Sequence, residues 1–501
     1  MIEGEEALYS SRFMAIPESF TLWSVLAALL QLLIVLCVIV RVMLTRHPPG
    51  SAFAWILLTT ILPYFGFLLY LAFGERPIGR LRAKRLKAAI ERWGQLSQHK
   101  LTPLGPLPRH LARHRTLLRL AAKLAGMPLA TGSSALLKAS SAETIQSLHK
   151  DIAAARESID MEFYIWEDGG EVREITRSLI AAARRGVRIR LLVDDFGSRV
   201  FLRSEAKKLL EREGIIIASA LPMKFLRFFG LQRADIRLHR KTVVIDNKVA
   251  YTGSFNMIDP RSYAEATVVG AWVDAMVRVE GPAVRALAAV WQFDWALQPD
   301  GDLTDFEETF AAETTLNVGD AVIATVPSGP YANGDRNLLL VLEAINRAEH
   351  TLTITTPYFI PTESVVCALF NAVLRGVAVT LIVPEKCDNP ATGWAMRRYF
   401  DELLESGVRI LLYEGGLLHT KSISVDNEFA VFGTLNIDNR SLHLNFELMM
   451  AIFDQAFVRD LSLLHAEYET HCRELEADAW RNRPLSDRLR EGASFLISPL
   501  L

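Results

Sequence analysis

The 501-residue chain has almost no net charge and few cysteines, and each shortage excludes something. Lysine and arginine number 55 against 57 aspartates and glutamates, a formal net charge of -2. With no global basic excess, nucleic acid is not the expected partner. The four cysteines, Cys37, Cys367, Cys387 and Cys472, form no CxxC pair, and Cys37 lies in an apolar run. A reduced compartment, without disulfides or structural zinc, is the economical reading.

Apolar residues, by contrast, make up 50% of the chain, and the excess sits near the N-terminus. Residues 22–40 and 52–73 are two runs without a charge. Each is long enough, as a helix, to cross the roughly 30 Å hydrocarbon core of a bilayer. A cleaved signal peptide fits poorly, because Glu3, Glu5 and Glu6 precede the first run. Arg41 and Arg46 lie in the short connection, whereas Arg76, Arg80, Arg82, Lys84, Arg85, Lys87 and Arg92 follow the second run. The denser cluster belongs in the cytoplasm, which places both termini inside.

Farther on, one sentence of residues is written twice. His239-x-Lys241-x4-Asp246-x6-Gly253-Ser254-x-Asn256 recurs as His419-x-Lys421-x4-Asp426-x6-Gly433-Thr434-x-Asn436. The likeness extends around each motif. A helical stretch leads into SIDMEFYIW (158–166), and a second helix ending in Gly186 precedes VRIRLLVDD. In the later half TLTITTPYF (351–359) and a helix ending in Gly376 precede VAVTLIVPE. Strand, helix, glycine cap and apolar strand make a βαβ unit. The expectation is an α/β fold: two tandem βαβ halves on partly parallel, helix-covered sheets, associated about a pseudo-twofold, after an N-terminal two-helix hairpin. The expected divisions are 1–75 (hairpin), 76–130 (basic linker), 131–302 (first repeat) and 303–501 (second repeat). Each motif reads as a hairpin, with strands 238–245 and 249–254, then 418–425 and 429–434. Strand alternation puts His239 and Lys241 on one face, and likewise His419 and Lys421.

This set suits attack on a phosphodiester, which is anionic and has a poor alkoxide leaving group. Two histidines divide the exchange into two steps: one attacks phosphorus, the other donates and later removes a proton. Lys241, Lys421, Asn256 and Asn436 can neutralise and orient the non-bridging oxygens, assisted by Ser254 and Thr434. Asp246 and Asp426 belong to the motif and are counted with its catalytic set, but Asp is common at turns, and architecture is the stronger reading for both. Lysine two residues after each histidine would repel a metal ion, and there is no HExxH, so neither a metal nor another cofactor is expected.

These residues are the HKD signature, and the chain resembles the phospholipase D superfamily. Within it, MEFYIW, AARRGVRIRLLVD, HRKTVVIDNKVAYTGSFNMIDPR, TTPYFIP, EGGLLHTKS, the terminal SPLL and the hairpin sequence resemble bacterial cardiolipin synthases of the A type along nearly the whole length. The resemblance implies transphosphatidylation: one phosphatidylglycerol gives its phosphatidyl group to another, yielding cardiolipin and glycerol through a phosphohistidine. It implies membrane phospholipids of the inner leaflet as partners, no nucleic acid, and a multi-pass bacterial inner-membrane enzyme with a cytoplasmic catalytic domain. By the same analogy His239 is the nucleophile and His419 the acid and base, although the sequence alone does not say which is which. Glu447, in RSLHLNFE, matches the family's acid that orients a catalytic histidine. Aligning Arg261 with Arg440 sets Val268 opposite it, so the first half lacks that acid there, and Glu265 and Asp274 stand open as substitutes. Phe225 to Phe229, and more weakly the C-terminal Phe495-Leu496-Ile497, are candidate lipid contacts. A hydrolytic phospholipase, a nuclease and an inert lipid-binding scaffold are the competing functions.

Overall fold

The computed structural model describes residues 18–45, 47, 49–74, 84–92, 109–127, 129–222, 235–261, 269–298, 301, 317–329 and 335–498. The chain divides into two compact units, Met1–Pro77 with Lys224–Asp235, and Ile78–Met223 with Ile236–Leu501.

In the first unit α1 (Glu18–Leu44) exposes Leu22, Trp23, Leu29, Leu33 and Leu36. Its residues Leu22–Leu44 are long and apolar enough to cross a membrane, the one such helix among the described residues. Residues 52–73, expected as one span, form two helices instead: α2 (Pro49–Ile61) and α3 (Pro63–Leu69), followed by a π-helical turn, Tyr70–Gly74. Pro63 is the cause. It has no N–H to donate, and it drives Leu62 out of the helical region to φ -128° and ψ 73°. The bend folds α3 onto α2 so closely that a Cβ at Gly66 would stand 2.7 Å from the Thr59 Cα. Val38, Val42 and Tyr70 are buried together, with Trp55 and Phe67 against them.

The second unit is built on a sheet of fifteen strands among the described residues. The first repeat supplies β1 (Ala130–Lys138), β2 (Ser158–Phe163), β3 (Arg188–Asp194), β4 (Ile216–Ala220), β5 (Thr242–Ile245), β6 (Val249–Gly253) and β8 (Met276–Glu280), with the short β7 (Trp272–Val273) outside the main sheet. The second supplies β9 (Ala321–Ser328), β10 (Thr351–Thr355), β12 (Ala378–Pro384), β13 (Arg409–Tyr413), β15 (Ser422–Val425), β16 (Phe429–Gly433), β18 (Glu447–Phe453) and β19 (Cys472–Glu474). The short β11 (Phe359–Ile360), β14 (Leu417–Leu418) and β17 (Ile437–Asp438) again lie apart. Strand order is β19-β13-β12-β10-β15-β16-β18-β9-β1-β8-β6-β5-β2-β3-β4.

Both halves therefore share one continuous sheet, joined where β1 pairs antiparallel with β9. Each wing is mixed. β2, β3 and β4 run parallel, as do β10, β12 and β13, and the remaining pairings are antiparallel. Helices Val172–Arg184 and Glu363–Leu374 make the first crossover of each wing, β2 to β3 and β10 to β12, and each is followed by glycine in the left-handed region, Gly186 at φ 93° and Gly376 at 87°. β2, β5, β9, β16 and β18 are buried at every position, so their apolar runs serve both faces of a covered sheet.

Candidate active site

The motifs start where the sheet stops. β5 and β15 begin only at Thr242 and Ser422, so His239–Lys241 and His419–Lys421 precede the ladder rather than extending it as expected. Their backbones pair across the halves. The His239 N–H donates to the Phe446 carbonyl at 3.0 Å, and the His419 N–H to the Val273 carbonyl at 2.8 Å. β14 lies parallel to β7, and Leu238 bridges Phe446 in the same sense. Each histidine is thus held by a segment of the other repeat.

The side chains repeat the exchange. His239 Nδ1 lies 2.8 and 3.0 Å from the two carboxylate oxygens of Glu447, and His419 Nδ1 lies 2.6 Å from Asp274 Oδ1. Of the two substitutes left open by the sequence, Asp274 occupies this place, while Glu265 and Val268 fall outside the described residues. The alignment through Arg261 misplaced the equivalence because the first half has a longer stretch before its acid. The hydroxyls show the correct register. Ser254 Oγ accepts from the Ala275 N–H at 3.0 Å, and Thr434 Oγ1 accepts from the Leu448 N–H at 2.9 Å. The residues just before those amides, Asp274 and Glu447, therefore correspond. Thr434 Oγ1 also donates to Glu447 at 2.6 Å.

His239, His419, Asn256 and Asn436 line one cleft of about 700 Å³, with Tyr164, Phe196, Arg199, Arg237, Trp272, Tyr358, Asp388, Asp438 and Arg440 on its walls. The Tyr164 ring packs edge-on to His239 at 5.1 Å, and Trp272 lies 4.5 Å from the His419 ring. Lys241 and Lys421 are fully buried, and their ammonium groups donate to the carbonyls of His239 and His419 at 2.7 and 2.6 Å. Ser254 and Thr434 brace the acid-bearing strands. Asp246 and Asp426 do not line the cleft; they sit at the hairpin turns, with φ of 52° and 51°. Asp246 accepts the N–H groups of Arg156, Glu157 and Ser158, and Asp426 those of Glu349, His350 and Thr351, at 2.7–2.9 Å. Each ties its turn to the start of the strand paired antiparallel beside it, β2 for Asp246 and β10 for Asp426, which separates both aspartates from the reacting set in which the motif counts them.

The electrostatics are dominated by burial of the ionisable groups. Burial lowers His419 to about 4, aided by Lys421, and pushes His239 well below the ordinary imidazole range, aided by Lys241 and Lys421. Burial brings Lys241 down to about 8 and Lys421 well below its usual value, the two ammonium groups repelling each other. Burial also raises Glu447 to about 7. Asp274 goes the other way: burial opposes its charge, but the His419 imidazole and Lys421 hold it below the usual carboxylate range.

Several contributors carry no motif signal. Asp194, raised to about 6 by burial, accepts the Leu238 N–H at 3.0 Å and fixes the approach to His239. Arg240 is buried against Asp294 and donates to the carbonyls of Glu447 and Ser328. Among the described residues no three His, Cys, Asp or Glu side chains gather as a metal-binding group.

A shared α/β sheet bearing two histidine–lysine motifs in one cleft defines a phosphodiester-processing protein of the phospholipase D type. The family model described as "Cardiolipin synthase, PLD-like domain" matches residues 148–277 and 341–466, and "Phospholipase D-nuclease N-terminal" matches residues 32–75. Cardiolipin synthase A from Escherichia coli O1:K1 and from E. coli K12 (DH10B) are each 39% identical over 496 residues, covering 96% of this chain and 99% of the relative. Phosphatidylserine synthase of Haemophilus influenzae Rd KW20 shares the fold, with a TM-score of 0.58 at 15% identity over 77% of this chain and 100% of that one. The chain belongs to the cardiolipin synthase family of the phospholipase D superfamily, and it is an enzyme of that kind.

Proposed function

We propose that the enzyme transfers a phosphatidyl group from one phosphatidylglycerol to the headgroup of another, releasing glycerol and cardiolipin, with a phosphohistidine between the two steps. The observation that carries this is the pair of imidazoles in one cleft, each with Nδ1 bound to a carboxylate of the opposite repeat. Nε2 is then the nitrogen of each ring available for chemistry. The carboxylates differ in kind. Asp274 is held ionised and supports a proton on His419 against the burial that lowers it, suited to the acid and base. Glu447 is pushed towards its neutral form, which favours an uncharged, nucleophilic His239.

His239 Nε2 attacks phosphorus while His419 protonates the departing glycerol oxygen. His419 then takes the proton from the hydroxyl of the second lipid as that oxygen displaces His239. Asn256, Lys241 and Lys421 compensate the phosphoryl charge, directly or through the field of the buried ammonium groups. The palindromic strand order supports a pseudo-twofold between the repeats at 131–302 and 303–501. α1 with the kinked α2–α3 supports a membrane hairpin in 1–75, followed by the basic linker of 76–130. The cation-rich flank after it argues for catalysis at the inner leaflet of the bacterial membrane.

The test is detergent-solubilised protein with phosphatidylglycerol, labelled in its phosphate, as sole lipid and chelator present. Cardiolipin and glycerol should form with wild type, and with neither His239→Ala nor His419→Ala. Acid-labile label should map to His239 after rapid quenching. Phosphatidic acid as the only product would make the enzyme a hydrolase, and label on His419 would reverse the assignment.

A further inference from the structure

The two walls of the cleft descend from the same scaffold but differ in chemistry. Trp166 bridges Met257 in the first repeat and Phe359 pairs with Ile437 in the second, so Ile165 corresponds to Tyr358 and Ile258 to Asp438. Counting on from the paired strands β3 and β12 sets Ser198 opposite Asp388. In the first repeat Ile165 and Ile258 pack with Trp272 and Leu417, and the Ser198 hydroxyl is taken by the backbone of Tyr164 and Trp166. In the second repeat all three positions carry polar side chains that line the cleft. The Tyr358 hydroxyl donates to both oxygens of Asp388, at 2.7 and 2.8 Å. Burial and that carboxylate keep the phenol well above its ordinary range, hence neutral.

The two motif asparagines diverge in the same way. Asn256 Oδ1 accepts from the Ile165 N–H at 3.2 Å, which leaves its NH2 for the cleft. Asn436 shares a hydrogen bond with the Asp438 carboxyl, while its own amide oxygen, buried at the cleft wall, has no partner. An NH2 group suits a phosphate oxygen, but a bare amide oxygen needs a donor such as a hydroxyl.

We propose that Tyr358, Asp388, Asp438 and the Asn436 amide oxygen form the subsite for the glycerol headgroup of the acceptor lipid and bind its vicinal hydroxyls. The phosphate of the donor is held on the opposite wall, by Asn256 and beside Arg199 and Arg237. An array of acceptors receives a diol and disfavours a second anion, so it presents the headgroup hydroxyl to His419 while the lipid phosphates stay apart. This deepens the transferase reading and rests on it.

The experiment runs the reaction backwards, with full-length protein in detergent, cardiolipin as donor and free glycerol as the varied acceptor. Each turnover releases one phosphatidylglycerol as the leaving group, so the glycerol is labelled: label entering phosphatidylglycerol measures transfer, and phosphatidic acid measures escape to water. Tyr358→Phe and Asp388→Asn, checked for wild-type melting, should each raise the KM for glycerol at least fivefold. The ratio of phosphatidic acid to glycerol-labelled phosphatidylglycerol should rise by a similar factor. An unchanged glycerol KM, with both products falling together, would overturn the subsite while leaving the transferase intact. Wild type that puts no glycerol label into phosphatidylglycerol would take down the transferase reading itself.

Discussion

Asp274→Asn is the substitution that most directly probes the crossed arrangement of the site. The carboxylate is buried, held ionised, and 2.6 Å from His419 Nδ1. Removing its charge weakens a buried charge-assisted hydrogen bond, a loss of about 1.5–3 kcal/mol. At 1.36 kcal/mol per decade this alone slows turnover roughly ten- to hundredfold. A second effect adds to it. The amide of Asn can donate to Nδ1, which would move the imidazole proton to Nε2 and leave His419 unable to accept one. The same exchange in a Ser-His-Asp triad costs about 10⁴, and there the aspartate is likewise buried. Trp272 against the His419 ring limits reorientation but does not set the tautomer, so an overall loss of roughly 10³ in kcat is expected.

The assay is cardiolipin formation from labelled phosphatidylglycerol in detergent, with KM followed separately. Because Asn matches Asp in shape, melting should stay close to wild type, and KM should change less than kcat. Glu265→Gln, the other acid open from sequence, serves as the control and should retain most activity. A loss below tenfold for Asp274→Asn, or a larger loss for Glu265→Gln, would refute the reasoning.

Two further substitutions separate chemistry from architecture. Lys241→Met should abolish most turnover yet raise thermal stability at neutral pH. The buried ammonium titrates near 8 rather than 10.5, so stability falls as pH drops through that interval, and below it the penalty is complete, on the order of 3 kcal/mol. Melting curves should show the gain at pH 7 and its disappearance near pH 10.5; a variant less stable at pH 7 would contradict it. Asp246→Ala and Asp426→Ala each strip three backbone N–H groups of their acceptor, and should cost about 1–3 kcal/mol in denaturant melts while kcat measured well below the transition stays within threefold. A hundredfold loss of kcat in a folded protein would return these aspartates to the reacting set.

The parts of the molecule legible in sequence are those written in local periods. The charge-free runs, the glycine-capped crossovers and the repeated His-x-Lys spacing each depend on residues a few positions apart, and each has its counterpart in α1, in the caps at Gly186 and Gly376, and in the cleft. The break at Pro63 was also local, but the unbroken hydropathy around it hides a backbone effect. What local spacing cannot carry is pairing between the repeats. His239 is oriented by Glu447 and His419 by Asp274, so an acid downstream of each motif serves the other motif's histidine. The same crossing joins His239 to Phe446 and His419 to Val273 through the backbone. Neither repeat therefore orients its own histidine, and each depends on a second repeat facing it. Both motifs accordingly retain a full polar set, while positions beside them differ, as at Ile165 against Tyr358 and Ile258 against Asp438.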